Sequence, residues 1–231
     1  VSIEDVNQGY GYVLYESMLH EGKGWLKVKE LRDYAIVMLD GKRLGVLNRS
    51  FKRDSIWVET TKPNQTISIF VENLGRINFG TFLNDNRKGI TKEVTFAGNT
   101  VRGWNIYGYP FTRVDNIKFR AAKASDKFEG PVVRRGTFML DKVADTYLNV
   151  GSFGKGSVWV NGHHVGRYWS IGPQQTLYIP APWLKKGKNT VVVFELLKMT
   201  EDKLSAIDHP ILDDVRQEMF VGPTTGQQII E

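Results

Sequence analysis

Cysteine is absent from the 231 residues. That excludes disulfides, zinc thiolates and thiol nucleophiles, and it fits a cytoplasmic or bacterial periplasmic setting better than a disulfide-rich eukaryotic secreted one. Long apolar runs are also missing, since no stretch reaches the roughly 18 residues a membrane-crossing helix needs. The opening VSIEDVNQGYGY has neither the basic nor the apolar segment of a secretory leader. The chain is therefore expected to be soluble, with no membrane partner. Helical periodicity is scarce as well, because no segment keeps apolar residues at helical spacing for three turns.

Excess charge of one sign is present but not concentrated. The net charge is +6 and the isoelectric point about 9.4, which invites a nucleic-acid reading. The basic residues, however, are mixed with acids in KVKELRD, KRDSIWVE and KMTEDK, and the densest cluster, LKKGK at 184–188, sits in a turn signal. Such a pattern reads as a solvated surface, and no nucleic-acid partner is expected. Two asparagine sequons, Asn48-Arg49-Ser50 and Asn64-Gln65-Thr66, matter only in a host that glycosylates.

What is abundant is strand signal. YVLYESML, YAIVMLD, SIWVET, QTISIFVE, GTFML, TYLNV, SVWVNG, TLYIP and NTVVVFE are short, rich in β-branched and aromatic residues, and bounded by glycine, proline or asparagine. The pattern predicts an all-β chain of sandwiches or barrels. It also repeats. AIVMLDGKRLG (35–45) reads like SVWVNGHHVG (157–166), with Gly41 matching Gly162 and Gly45 matching Gly166, both 121 residues apart. SIWV (55–58) matches TLYI (176–179) at the same spacing, and TISIFVE (66–72) matches TVVVFE (190–195), pairing Glu72 with Glu195. GTFML (136–140) is a looser counterpart of GYVLY (11–15). Two copies of one antiparallel unit are expected, at 1–122 and 132–217, joined by a polar linker at 123–131 and followed by a tail at 218–231 of unassigned role.

The segment WVNGHHVGRYW (159–169) has the composition of a site. Its local chemistry points to a hairpin instead, because Asp40-Gly41 and Asn161-Gly162 are type I′ turn signals. Alternation sets Trp159 on the face opposite Val158 and Val160. His163 and His164, adjacent in a strand, point to opposite sides and form no joint metal site; His20 and His209 are remote. No metal and no cofactor is expected.

At these residues a family resemblance becomes visible. GKGSVWVNGHHVGRYWSIGPQQTLYIPAPWLKKGKNTVVVFE (154–195) resembles the C-terminal region of family 35 glycoside hydrolases, the β-galactosidases. QGYGYVLYES (8–17), LKVKELRDYAIVMLDGKRLGVLNR (26–49), VENLGRINFG (71–80) and GWNIYGYP (103–110) resemble the domain that precedes it. The resemblance spans about residues 8–213. It implies two consecutive galactose-binding-like jelly-roll domains, accessory to a catalytic (β/α)8 barrel that carries the acid/base and nucleophile glutamates. No family catalytic motif lies in this sequence, so no catalytic residue is assigned. A retaining glycosidase needs two carboxylates about 5 Å apart, whereas Glu59, Glu72 and Glu195 are isolated strand-end positions.

Candidate binding positions remain. The longest segment without alternation, NLGRINFGTFLNDNRKGI (73–90), offers Arg76, Asn78, Phe79 and Asn84; the competing reading is a packed connection braced by Arg76. Trp104, Tyr107, Tyr109, Trp169 and Trp183 are possible sugar platforms, against the alternative that they fill cores. Trp159 and Trp169 are open to interdomain packing, docking on the barrel or glycan stacking, and Arg167 to stacking on a ring or pairing locally. The tail segment HPILDD is expected to be extended. The leading function is accessory β-domains of a β-galactosidase, partnered by the barrel of the same parent chain. The alternative is an autonomous module for galactose-containing glycans. A periplasmic or extracellular bacterial location is favoured over the cytoplasm.

Overall fold

The computed structural model of the chain describes residues 1–123, 125–126 and 129–218. The tail from 219 onward, and positions 124, 127 and 128 of the expected linker, lie outside the described residues. Two compact units emerge, residues 1–111 and, among described residues, 112–218. Both are antiparallel β-sandwiches. Helix among the described residues is confined to short 3-10 turns at Glu4–Val6, Arg49–Phe51 and Ala181–Trp183.

The first unit contains β1 (Tyr12–Leu19), β2 (Gly22–Val28), β3 (Leu31–Arg32), β4 (Tyr34–Leu39), β5 (Lys42–Asn48), β6 (Ser55–Thr60), β7 (Gln65–Glu72), β8 (Gly89–Ile90), β9 (Val94–Phe96), β10 (Asn99–Thr100) and β11 (Asn105–Tyr109). One sheet runs β11-β1-β7-β4-β5 and the other β10-β9-β2-β6. Alternate residues of both meet in one core: Val13, Tyr15 and Leu19 from β1, Ile67, Ile69 and Val71 from β7, facing Leu26, Val58 and Phe96 of the second sheet. Period-2 patterning produces this directly, because every second side chain leaves water together.

The second unit contains β12 (Val132–Leu140), β13 (Thr146–Asn149), β14 (Lys155–Val160), β15 (His163–Trp169), β16 (Thr176–Ile179), β17 (Gly187–Glu195) and β18 (Ser205–Ile207). Its sheets run β12-β17-β14-β15 and β16-β13-β18. The core gathers Val158, Val160, Val193, Leu148, Leu177 and Ile179. Beyond β18 the chain returns along the start of β16, where the Gln175 amide donates to the Ile211 carbonyl at 2.9 Å and the Arg216 amide to that of Ile171.

The internal repeat is visible strand by strand. Asp40 and Gly41 have φ of 46° and 76°, Asn161 and Gly162 of 49° and 86°, the left-handed pair that a type I′ turn demands. Each hairpin carries a bulge at the same place, after Val37 in one and Val158 in the other, opposite Gly45 and Gly166. Each turn side chain also catches the same neighbour: the Thr66 amide donates to Asp40 Oδ1 at 2.8 Å, the Thr190 amide to Asn161 Oδ1 at 2.9 Å.

Two of the sequence matches need correction. Val37 faces Ile69 and Val158 faces Val193, so β7 maps onto β17 with a spacing of 124. The counterpart of Glu72 is therefore Leu196, not Glu195. Glu72 shares the face of Phe70, away from the core, while Glu195 shares the core face of Val193. The match of GTFML to GYVLY is displaced too. Ser17 faces Ile67 and Gly136 faces Val191, so Ser17 corresponds to Gly136 and Tyr15 to Arg134. The strand begins at Val132, earlier than its apolar part suggested.

Candidate functional site

In the first unit, residues 73–88 form a loop whose base is clamped by charges that lie far apart in sequence. Asp33, next to β4, accepts from Lys88 Nζ at 2.6 Å, from Arg49 at 3.2 Å and from the Leu74 amide at 3.0 Å. Arg32 grips both carboxylate oxygens of Asp85, at 3.0 and 2.8 Å, and reaches Glu30 at 2.9 Å. These hydrogen bonds from Arg32 hold the Asp85 carboxyl below the usual carboxylate range. Arg76 donates to Glu4 and to the carbonyls of Asn86 and Gly9, both at 2.7 Å. Arg76 is thus a brace of the loop.

Above this base the tip faces water. Phe79 is 89% exposed, Phe82 61% and Leu83 50%, and Asn78 and Asn84 are exposed beside them. Three large apolar side chains exposed on one loop tip are unusual on a surface that touches only solvent. Phe79 was legible as a loop candidate. Phe82 and Leu83 were not, since nothing in TFLN distinguishes a tip from a buried turn.

The aromatic candidates separate. Trp104 packs against the first core, edge-on to Tyr15 with ring centroids 6.5 Å apart, and its Nε1 donates to the Val101 carbonyl at 3.0 Å. It is partly buried against that core. Tyr109 joins an aromatic cluster with Phe70 and Phe111, and Tyr107 is exposed. The exposed ring pair that sequence reasoning missed is Trp25 with Trp57, directly opposite on β2 and β6 at 5.6 Å. Its signal was present, because KGWLKV alternates Trp25 with Leu26 and sets it on the face of Lys23 and Lys27. The second unit repeats the device with Tyr147 and Tyr178 at 5.5 Å.

The hairpin of β14 and β15 behaves as packing. Trp159, on the face opposite Val158 and Val160, is 5% exposed and lies against His164 at 4.9 Å. Burial, with Arg167 nearby, lowers the His164 pKa. His163 instead stacks on Trp183 at 4.8 Å, so the two histidine rings part company. Lys155 Nζ lies over the Trp169 ring at 4.2 Å, and Arg167 is exposed. Among the described residues no group of three or more histidine, aspartate or glutamate side chains is placed to hold a metal.

Glu195 is fully buried and accepts from four donors: the amides of Gly154, Lys155 and Leu197 at 3.0, 3.0 and 2.7 Å, and the Tyr168 hydroxyl at 2.9 Å. Loss of water outweighs these bonds and pushes its pKa up to about 7. A carboxylate so enclosed cannot reach a substrate. Its chemistry is to tie the entry of β14 to the end of β17. Glu72 is likewise buried, and Glu59 sits on the outer face of β6.

Comparison with known proteins places both units. The model described as "Beta-galactosidase, first all-beta domain" matches residues 1–110, and that described as "Beta-galactosidase, galactose-binding domain" matches 131–189. Similar curated proteins include a beta-galactosidase of Xanthomonas manihotis, 37% identical over 77% of this chain and 29% of its own length. Beta-galactosidase 17 of Arabidopsis thaliana is 35% identical over 90% of this chain and 34% of its own. Beta-galactosidase-1-like protein 3 of Homo sapiens is 34% identical over 89% and 31%. The chain spans about a third of the length of these relatives.

Proposed function

This chain belongs to the β-galactosidase family, contributing its first all-β domain and its galactose-binding domain, and we propose that both act as non-catalytic supports for the catalytic barrel of a longer β-galactosidase. The observation that carries the proposal is the loop tip. Phe79, Phe82 and Leu83 stand in water above a base tied by a buried ion pair and a bidentate arginine. Preorganised apolar side chains lose little freedom on docking. An intrachain interface of roughly 600–1,500 Å2 needs a few such anchors at its centre. The buried glutamates supply no acid or nucleophile, so the chain alone is expected to leave an aryl β-galactoside intact.

The test is a triple variant, Phe79→Ser with Phe82→Ser and Leu83→Ser, in the full-length parent. The first domain's own stability should stay within about 0.5 kcal/mol, because the three residues are exposed, while the barrel's melting temperature falls by several degrees. The separately expressed barrel should be stabilised by adding this chain and less so by the variant. An autonomous glycan module would behave otherwise, and the Trp25–Trp57 pair flanked by Lys23, Lys27 and Glu59 is where its sugar would stack. Micromolar galactan binding that is lost on Trp25→Ala, with no effect on the barrel, would transfer the function to that module.

A further inference from the structure

Each sandwich carries an aromatic pair at the same place, on the outer face of its smaller sheet. In the first, Trp25 of β2 lies directly opposite Trp57 of β6; in the second, Tyr147 of β13 lies opposite Tyr178 of β16. The repeat spacing of 121 carries Trp57 onto Tyr178. The tryptophans stay in water, 39% and 44% exposed, although they touch edge to face with their planes at 84°. Rings set this way form a corner and leave indole surface for a further ring. Two residues along each strand runs a polar row. Ser55 of β6 faces Lys27 of β2, Lys27 faces Thr95 of β9, and Thr95 faces Thr100 of β10. Alternation sets this row on the face of the two tryptophans, away from the buried Leu26, Ile56 and Phe96. Four strands about 4.8 Å apart spread it over about 14 Å. On the other flank Lys23 faces Glu59. Charge on the face is balanced, since Lys27 Nζ also lies 3.4 Å from Asp54.

We propose that this face of the first sandwich binds a neutral polysaccharide chain. The C–H face of one sugar stacks in the Trp25–Trp57 corner, where slightly positive hydrogens meet the negative face of an indole. The hydroxyls of that sugar and its neighbours exchange hydrogen bonds with Ser55, Thr95 and Thr100 and accept from Lys27. Balanced charge favours a neutral chain over a polyanion. A protein partner is disfavoured because the centre of a protein interface is depleted of charge, whereas lysines bracket these rings on both sides. The open row suits several linked sugars, unlike the enclosed pocket that takes up a single small ligand. Without enclosure the binding is weak, on the order of millimolar. The inference goes beyond barrel support and does not rest on it, since the rings lie on β2 and β6 and the Phe79 tip follows β7.

Affinity electrophoresis of this chain tests it, in gels carrying soluble β-1,4-galactan, a neutral β-glucan or polygalacturonate. At least one neutral polymer should retard the chain. Trp25→Thr with Trp57→Thr, which keeps residues suited to strands, should weaken that retardation at least about tenfold while the melting curve stays cooperative. Cross-strand aromatic pairs also stabilise sheets, so a second variant removes hydroxyls and leaves the rings. Thr95→Val with Thr100→Val should weaken binding about threefold, and it decides the matter if the ring variant melts early. No retardation by either neutral polymer would overturn the proposal, as would retardation by polygalacturonate alone, which marks a charge effect. A ring variant that loses stability but keeps its retardation would reduce the pair to a strand staple. The loop-tip variant should be retarded like the wild type, and the ring variant should stabilise the barrel like the wild type, so the two readings fail separately.

Discussion

Lys88 Nζ lies 2.6 Å from Asp33 Oδ2, and the two side chains are only 4% and 8% exposed. The pair joins the residue between β3 and β4 to the returning limb of the 73–88 loop, 55 residues apart in the chain. A pair so enclosed has lost most of its hydration, and its Coulomb attraction offsets that loss only while both partners are present. The pair's main effect is positional, since it sets where the loop's limbs leave the sandwich and so where its tip points.

Replacing Lys88 by methionine should therefore cost about 3 kcal/mol in the stability of the first domain, measured by urea unfolding. Arg49 and the Leu74 amide still hold Asp33 and keep the cost from rising further. Limited proteolysis should accelerate at residues 79–84 in the variant. A double variant, Lys88→Met with Asp33→Asn, should lose less than the sum of the two single changes. Strict additivity would show that the pair is not coupled.

Glu195 predicts a pH dependence for the second domain. Its carboxyl is pushed from an ordinary value of 4.5 up to about 7 in the fold, so the native state binds the proton more tightly than the unfolded state. The stabilisation is complete below about pH 4.5 and lost as pH rises through 7, on the order of 3 kcal/mol in all. The melting temperature of this domain should fall between pH 5 and pH 8. Glu195→Gln should flatten that slope and also destabilise by about 2 kcal/mol, because its amide turns an N–H toward a buried N–H donor.

Trp104→Ala separates packing from recognition. The side chain is partly buried against the first core, edge-on to Tyr15, so truncation should cost about 3 kcal/mol in unfolding free energy. Calorimetric titration with galactose, lactose or galactan oligomers should be indifferent to it. A lost sugar affinity with unchanged stability would reverse the assignment.

The two sequons should differ in a glycosylating host. Asn48 is fully buried and its side-chain oxygen accepts from the Ser50 amide at 2.9 Å, whereas Asn64 sits exposed in the turn before β7 with φ of 61°. Mass spectrometry of the folded product should find glycan on Asn64 alone. Occupancy at Asn48 would mean that modification precedes folding of β5.

What the sequence by itself determined is the part of the fold written in local chemistry. Asp40-Gly41 and Asn161-Gly162 specify two type I′ hairpins because only such residues accept positive φ in succession. The period-2 strands around them specify sandwiches, and their repetition specifies two. Register was decided elsewhere. A one-residue slip moves every side chain to the opposite face, and only pairing across β4, β7, β14 and β17 could set Glu72 outside its core and Glu195 inside. The same holds for Trp104, Trp159 and the clamp on the loop, whose partners Asp33, Arg32 and Lys88 are brought together by chain closure.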